Sequence, residues 1–268
     1  MSISTPQKII FKKIAENNEQ AIIGPCYPGF GITIGNALKR VMISSLEGGA
    51  VYAVKIKGVQ HEFSTIPDVK EDVVEIILNL KQLHLKIHTD KEVKLTLEAR
   101  GKKEIKVKDI KATSDVELIN KDMHLATLTS AKAQIKMDIF VKKGRGYWTI
   151  EDRVDDENKE IGTILIDSFF SPIEKVGLNI ENTRVERMTN YENIILDIKT
   201  DGTISPKKAL KKSVEILIKQ FNSVFDNINI ENKKKGDKKT IKKDDKKEVT
   251  KKTVKKKIHQ LTEKKIKK

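Results

Sequence analysis

Three glycines, Gly29, Gly31 and Gly35, lie close together just before a predicted helix. The first N–H groups of a helix can bind phosphate, and glycine lets the anion approach closely. A dinucleotide-binding loop has the spacing G-x-G-x-x-G after an apolar strand, with an acid about 20 residues later. Here the spacing is G-x-G-x-x-x-G, and the next strand ends at Lys57 without an acid. We therefore interpret the glycines as a tight turn before a closely packed helix.

Other reactive side chains do not combine into a site. His61 and Glu62 lack the second histidine of an HExxH motif. His84 and His88 lie in a strand-like run, where positions i and i+4 are about 13 Å apart, too far to share a metal ion. Cys26 is the single cysteine, which excludes an intrachain disulfide and fits a reducing compartment. We predict no catalytic residue, no metal ligand and no cofactor in this chain.

Charge is distributed unevenly along the 268 residues, whose formal net charge is +15. Positions 231–268 hold 18 Lys and six Asp or Glu, whereas positions 1–230 hold 35 basic and 32 acidic side chains. A fold that grips nucleic acid carries its basic charge on the folded surface. The lysine-rich segment has too few apolar residues for a core and is predicted to be disordered. It either contacts DNA weakly through phosphates or reflects the Lys, Ile and Asn bias of the sequence.

Apolar spacing predicts two helices in the first third of the chain. The first covers about 35–46 and is predicted to end at Gly48 and Gly49. Asp68, followed three positions later by Glu71, is a capping signature for the second. Short strands are predicted at 7–14, 20–23 and 50–59. The apolar positions of the first helix are Ala37, Leu38, Val41, Met42 and Leu46, and those of the second are Val69, Val73, Ile76, Ile77 and Leu80.

Between residues 85 and 141 the apolar period changes from helical spacing to two. Segments 93–99, 104–110 and 133–141 alternate apolar and polar residues, as half-buried antiparallel strands do. Segments 143–148 and 152–162 are polar and turn-rich, and we predict that they are connections. Two further strands are predicted near 181–187 and 193–199. No internal repeat is present, and the mixture of helices and antiparallel strands predicts an α+β fold.

Ser205 and Pro206 open a third predicted helix, with a cap residue followed by proline at the first helical position. Its apolar residues advance by steps of four, three, four and three, which is the spacing of a coiled-coil seam. Such a helix is too apolar on one side to stand alone in water, so it requires a partner helix. The seam consists of Leu210, Val214, Leu217, Phe221 and Val224, widened by Ile216, Ile218 and Phe225.

Four blocks of the sequence are similar to the N-terminal domain of the α subunit of bacterial-type DNA-directed RNA polymerase. They read GFGITIGNALKRVMISSLEGGAV, GVQHEFSTIPDVKEDVVEIILNLKQL, GRGY and FSPIEKVGLNIENTRVE, and the resemblance covers about residues 5–228. It implies a discontinuous dimerisation domain of antiparallel strands and two long helices, 1–47 plus 176–230. A mostly β domain, 48–175, is inserted into it, and the lysine-rich tail is 231–268.

The resemblance also implies a function and its residues. The family's α subunit forms a homodimer and recruits the β and β′ subunits, and catalysis with its Mg²⁺ resides in those large subunits. The N-A-L-R-R motif places a β contact on Arg40, and the N-L-K block places another on Lys81. Lys39 and Ser44 are assigned to the same contact. The dimer interface is assigned to the helix after the glycines and to the last helix, at Leu38, Val41, Met42, Leu210, Val214, Leu217, Phe221 and Val224.

The C-terminal end departs from the family pattern. Most bacterial α subunits continue into a small helical domain that binds promoter DNA, and here we expect the lysine tail in its place. No apolar run approaches the ~18 residues of a membrane span, and the N-terminus has no apolar signal region. We expect a cytoplasmic protein of a bacterium, or a stromal protein of a plastid, with no membrane contact. Two rival classes are a nucleotide-dependent enzyme and a basic nucleic-acid-binding protein.

Overall fold

In this computed structural model, the residues described are 3–151 and 162–228. The predicted disordered tail, 231–268, lies outside the described residues, as does nearly all of the predicted connection 152–162. Contacts divide the chain into two units, Met1–Glu215 and Ile216–Lys268. This division falls inside the predicted dimerisation domain, and the predicted domain boundaries stay a prediction.

The described residues form mainly antiparallel strands with three helices. The helices are α1 (Phe30–Ser45), α2 (Val73–Lys81) and α3 (206–228). A 3₁₀ turn covers Val107–Asp109. The strands are β1 (Lys8–Ala15), β2 (Asn18–Cys26), β3 (Glu47–Ile56), β4 (Leu85–Ile87), β5 (Val93–Arg100), β6 (Lys103–Lys106), β7 (Ile110–Lys111), β8 (Val116–Leu118), β9 (His124–Leu128), β10 (Gln134–Arg145), β11 (Tyr147–Trp148), β12 (Thr163–Leu165), β13 (Ser168–Phe169), β14 (Ile173–Val185) and β15 (Met188–Thr200).

The first sheet joins strands that are distant in sequence. Its order is β1-β2-β15-β14, with all neighbours antiparallel. In the central pair, Leu196 of β15 lies opposite Ala21 of β2, and both residues are fully buried. Helix α1 packs against β14 and β15. A helix from the start of the chain is therefore positioned by strands that follow only after the whole second sheet.

Helix α1 begins at Phe30 and not near residue 35. Among the three glycines, Gly29 alone adopts a turn conformation, at φ +83°, and Gly31 and Gly35 lie inside the helix on its buried face. A Cβ atom on Gly35 would lie 2.7 Å from a methyl carbon of Leu178. The interpretation of Gly31 and Gly35 as turn glycines is therefore wrong, because both serve close packing of the helix on the sheet.

The second sheet builds the larger core. Its order is β7-β5-β10-β3-β4-β8, and β12 also pairs with β3. In β5, Leu95 and Leu97 are buried and their neighbours are not, which confirms the predicted period of two. Ile76 and Leu80 of α2 are buried in the same apolar cluster. The predicted α+β fold class is confirmed by this arrangement.

Helix α2 begins at Val73 and not after Asp68. Its N-cap is Asp72, whose carboxylate accepts a hydrogen bond from the Glu75 N–H at 2.7 Å, whereas Asp68 has φ +59°. The predicted capping partner Glu71 is buried. Burial acts to raise the pKa of Glu71, but hydrogen bonds from Thr127 and His124 outweigh it and lower the pKa overall. Glu71 therefore joins the start of α2 to β9.

Strand β10 continues to Arg145, so most of the predicted connection 143–148 is strand. Gly48 and Gly144 face each other across β3 and β10. A Cβ atom on Gly48 would overlap the Phe170 carbonyl oxygen, and one on Gly144 would lie 2.8 Å from the Phe170 ring. The two glycines form a slot for the buried Phe170. Gly48 and Gly49 therefore do not end α1, which stops at Ser45; they belong to β3.

Helix α3 begins at residue 206, as the Ser205–Pro206 signature predicts. The Ala209 N–H donates to the Ser205 carbonyl oxygen at 2.9 Å. Ala209, Leu210 and Ser213 are buried, and the Ser213 hydroxyl donates to the Ala209 carbonyl oxygen at 2.9 Å. The first two turns of α3 are thus anchored within the first unit.

We expect Gly48→Ala to lower the free energy of unfolding by about 2–3 kcal/mol, because a backbone carbonyl and not a flexible side chain must move. The measurement is urea unfolding followed by circular dichroism. The matched control is Gly177→Ala in β14, where the new Cβ would meet only the Asp197 side chain, at 3.3 Å. Equal losses for the two variants would contradict the slot.

Candidate protein–protein interface

The N-terminus of α1, where a phosphate-binding loop would hold its anion, is occupied by a side chain of the same protein. The Glu192 carboxylate accepts hydrogen bonds from the Gly29 N–H at 3.0 Å and from the Gly31 N–H at 2.8 Å. A carboxylate at this end of a helix also interacts favourably with the helix dipole. The position is therefore filled by Glu192. Sequence spacing gives no signal for this contact, since its partners come from opposite ends of the first unit.

The two sides of α1 have different roles. Gly31, Gly35, Leu38 and Met42 are buried on the side that faces the sheet. The opposite side exposes Arg40, whose guanidinium makes no hydrogen bond or ion pair with any other described residue. Its five N–H donors are available to a partner, in a planar fork that suits carboxylates or carbonyl groups. Further exposed residues on this side are Ile32, Asn36 and Ile43.

Lys39 and Ser44 lie beside Arg40 on α1. Lys39 is half-buried. The Ser44 hydroxyl donates to the Arg40 carbonyl oxygen at 2.8 Å and lies 3.1 Å from the Ser45 hydroxyl. The Ser44 proton is thus used within the helix, and its oxygen can still accept a hydrogen bond.

Lys81 lies at the end of α2, where it forms an ion pair with Asp167 at 3.2 Å. Asp167 also accepts a hydrogen bond from the Ile150 N–H at 2.9 Å. Partial burial acts to raise the pKa of Asp167, but the Ile150 N–H and the Lys81 ammonium outweigh it and lower the pKa. Lys81 is therefore held in place and still presents a partly exposed charge.

An aromatic strip, consisting of Tyr147, Trp148 and Phe169, lies between Ser44 of α1 and the Lys81–Asp167 ion pair. Tyr147 of β11 pairs with Phe169 of β13, and both side chains are more than half exposed. At one end, Gly146 approaches the Ser44 carbonyl, which a Cβ on that glycine would meet at 3.9 Å. At the other end, Asp167 directly precedes β13. The predicted contacts Ser44 and Lys81 thus border one exposed strip.

The structure divides the predicted dimer residues into two groups. Leu38, Met42 and Leu210 are buried within the single chain, so they belong to its own core and cannot add buried area to an interface. We correct the prediction for these three. Val41 and Leu217 are half-buried. Val214, Phe221 and Val224 are exposed, together with Ile218, Phe225 and Ile228.

Sequence reasoning missed two exposed apolar residues on α1, Ile32 and Ile43. They are separated by about three helical turns and therefore share one face. Their shared face could have been predicted from the sequence only if α1 had been predicted to begin before residue 35.

The Cys26 thiol is buried in β2, and burial together with the nearby Glu192 charge raises its pKa.

Within residues 3–151 and 162–228, no three His, Cys, Asp or Glu side chains are grouped to hold a metal ion. None of the helices in this part of the chain has the length and apolar character that a membrane crossing requires.

The fold and this surface define a class of protein. Residues 54–171, which run from the last residues of β3 to just after β13, match the family model described as the RNA polymerase Rpb3/RpoA insert domain.

Relatives extend the match to most of the chain. The DNA-directed RNA polymerase subunit alpha of Desulforamulus reducens is 42% identical over 233 residues, covering 85% of this chain and 73% of the relative. The same subunit of Clostridium kluyveri is 43% identical, covering 83% and 72%, and that of Aquifex aeolicus is 38% identical, covering 84% and 71%. The chain belongs to the family of the alpha subunit of DNA-directed RNA polymerase, which confirms the resemblance seen in the sequence.

We expect Glu192→Gln to lower the free energy of unfolding by about 1–3 kcal/mol, because one N–H of the α1 terminus loses its acceptor and the helix loses an anion. Urea unfolding at neutral pH measures the change. The matched control is Glu186→Gln, an exposed residue in the turn between β14 and β15. If both variants unfold at the urea midpoint of the unchanged protein, Glu192 does not anchor α1.

Proposed function

We propose that this chain is a non-catalytic subunit of RNA polymerase, a nucleotidyltransferase, that forms a homodimer and scaffolds the assembly of β and β′ for transcription. The observation that carries the proposal is the apolar seam on α3, here restricted to Val214, Leu217, Phe221 and Val224, of which Leu217 is half-buried and the other three are exposed. The names of the relatives support the subunit role.

The seam supports dimerisation through its energetics. Phe221 is 66% exposed and Val224 59% exposed in the single chain. Fully burying a side chain of this kind contributes about 1.5–3 kcal/mol, and a two-fold axis counts each residue twice. Phe225, which is 65% exposed, would widen the buried patch. The revised dimer interface therefore consists of the seam with Ile218, Phe225 and Ile228, and Val41 of α1 stays assigned to it.

The free side of α1 supports a second contact. Arg40 is exposed with unused donors, and the opposite side of the helix is committed to the first sheet. We assign β binding to Arg40, assisted by Lys39, Ser44 and the Lys81–Asp167 ion pair at the two ends of the aromatic strip. This assignment lets the dimer contact and the β contact use different residues of one chain.

Catalysis lies outside this chain in the proposed assembly. The active site and its Mg²⁺ belong to the large subunits, and no active site is assigned here. The predicted boundaries, 1–47 with 176–230 around an insert at 48–175, are retained. The lysine-rich tail is assigned at most a weak, non-specific DNA contact. We place the assembled complex in the cytoplasm of a bacterium, with a plastid stroma as the organellar alternative.

The dimer is tested by Phe221→Glu, which places a charge in the centre of the seam. We expect the unchanged chain to sediment or elute at twice its mass of 30.4 kDa, and the variant at the monomer mass, because a buried unpaired carboxylate is strongly unfavourable. Light scattering coupled to size exclusion gives both masses. Asn222→Glu, at the next position and outside the seam, should remain a dimer. A Phe221→Glu dimer, or an unchanged protein that is monomeric, would refute the proposal.

The β contact is tested by Arg40→Ala. Removing an interface anchor costs about 2 kcal/mol or more, so we expect affinity for purified β to fall by about thirtyfold while the dimer mass is unchanged. Immobilised dimer and soluble β give the dissociation constant. The matched control is Arg187→Ala, an exposed arginine on the β14–β15 turn. Equal β affinity for the Arg40 and Arg187 variants would remove Arg40 from the interface.

A further inference from the structure

A cleft of about 410 Å³ opens between the start of α3 and the edges of β3 and β4. All of its lining residues lie within the first unit. Four lysines from three elements line it: Lys86 of β4, Lys143 of β10, and Lys208 and Lys212 of α3. Among the described lining residues, the acidic side chain is Glu47, which is paired with Arg145. The lining therefore carries more lysines than acidic side chains.

The two lysines of α3 have no acidic partner among the described residues. Lys208 and Lys212 are four positions apart, so they lie side by side on one helix face, where like charges repel. The neighbouring pair at the same spacing is arranged differently: Lys207 lies over the Phe11 ring at 5.8 Å, and Lys211 has Glu215 at 3.9 Å. Repulsion between Lys208 and Lys212 is thus left uncompensated at the wall of the cleft.

The other two lysines are paired only with acids at the surface. Lys86 lies 3.5 Å from Glu117 and Lys143 lies 3.0 Å from Asp90, whose side chain is almost completely exposed. Surface ion pairs of this kind contribute little, so an anion in the cleft can replace them. The Ser205 residue and the first turn of α3 lie at the same cleft, and a helix N-terminus adds positive potential to the lysines.

We propose that this cleft binds an oligophosphate group, held by Lys86, Lys143, Lys208 and Lys212. Ammonium groups that line one cleft are suited to phosphate oxygens as point charges, and the cleft volume is within the range of small-ligand sites. The phosphates come either from an inorganic oligophosphate or from a nucleotide, and their chemistry at the lysines is the same. This site does not depend on the proposed dimer or on β binding.

The test uses the full chain with sodium tripolyphosphate, and it reads each lysine separately so that the lysine-rich tail does not obscure the result. The protein is acetylated briefly with an amine-reactive reagent, with and without tripolyphosphate, and the modification of each lysine is measured by mass spectrometry. We expect the four cleft lysines to be protected at ligand concentrations that leave Lys207 and Lys211 reactive. Protection of tail lysines alone, with the cleft lysines unaffected, would overturn the proposal.

Paired variants give the affinity. We expect the double variant Lys208→Gln and Lys212→Gln to weaken tripolyphosphate binding at Lys86 and Lys143 by about tenfold or more, the effect of losing a charge-assisted contact. The control, Lys207→Gln with Lys211→Gln, removes the same charge from the same helix and should bind normally. Equal weakening by both doubles would show a general charge effect and refute the site. Circular dichroism checks that all variants keep their helices.

Three further ligands, ATP, sulfate and a single-stranded oligonucleotide, identify the source of the phosphates and control for charge. Protection by ATP at tripolyphosphate concentrations assigns a nucleotide, and protection by tripolyphosphate alone assigns the inorganic ion; either supports the site. Sulfate at the same concentration should protect weakly, because it carries fewer charges. If a single-stranded oligonucleotide protects these lysines at lower concentrations than both oligophosphates, the cleft is a nucleic-acid surface and the proposal is wrong.

Discussion

The structure of the first unit depends on the bond between the Glu192 carboxylate and the first N–H groups of α1. A strand from late in the chain thereby holds a helix from its beginning, and the close approach of Gly31 and Gly35 to β14 and β15 accompanies it. The same bond uses the one position where a glycine-opened helix would attract a phosphate. The apparent phosphate site is thus an internal contact, and the anion bound there is the Glu192 carboxylate of the same chain.

Fixing α1 in this way decides which residues remain available to partners. Burial of Leu38 and Met42 against the sheet forces Arg40 to the opposite side, because these positions are separated by about half a helical turn. The Phe170 slot acts similarly at the other end of the surface, since it holds β11 and β13 together beside the α1 C-terminus. Two packing constraints, each built on glycine, therefore present Arg40, the aromatic strip and Lys81 on a rigid support.

Local sequence patterns correctly predicted those secondary-structure elements that local interactions determine. The strands at 93–99 and 133–141 and the start of α3 followed from residue periodicity and from Ser205–Pro206, and the four sequence blocks identified the family. The predicted strand 104–110 is wrong beyond Lys106, where the 3₁₀ turn Val107–Asp109 follows β6. The start of α1, the place of Gly48 and the cap of α2 were predicted wrongly. In each case a partner distant in sequence overrides the local signal: Leu178 and Ile194 at Gly35, Phe170 at Gly48, and His124 with Thr127 at Glu71. Glycine inside a helix is locally unfavourable, so only the tertiary contact explains it.

Helix α3 is a different case, because contacts among the described residues account only for its first two turns. Its burial within the chain ends at Ser213, and from Val214 to Ile228 its apolar residues are half-buried or exposed. An isolated helix of about 15 residues is marginal in water, so neither intrachain packing nor propensity accounts for this part of the helix. Exposed Phe221 and Phe225 on one face make it less favourable still in a monomer. The local and tertiary signals that explain the other helices are insufficient here, and a second apolar surface against the seam, as in the proposed dimer, would supply the missing stabilisation.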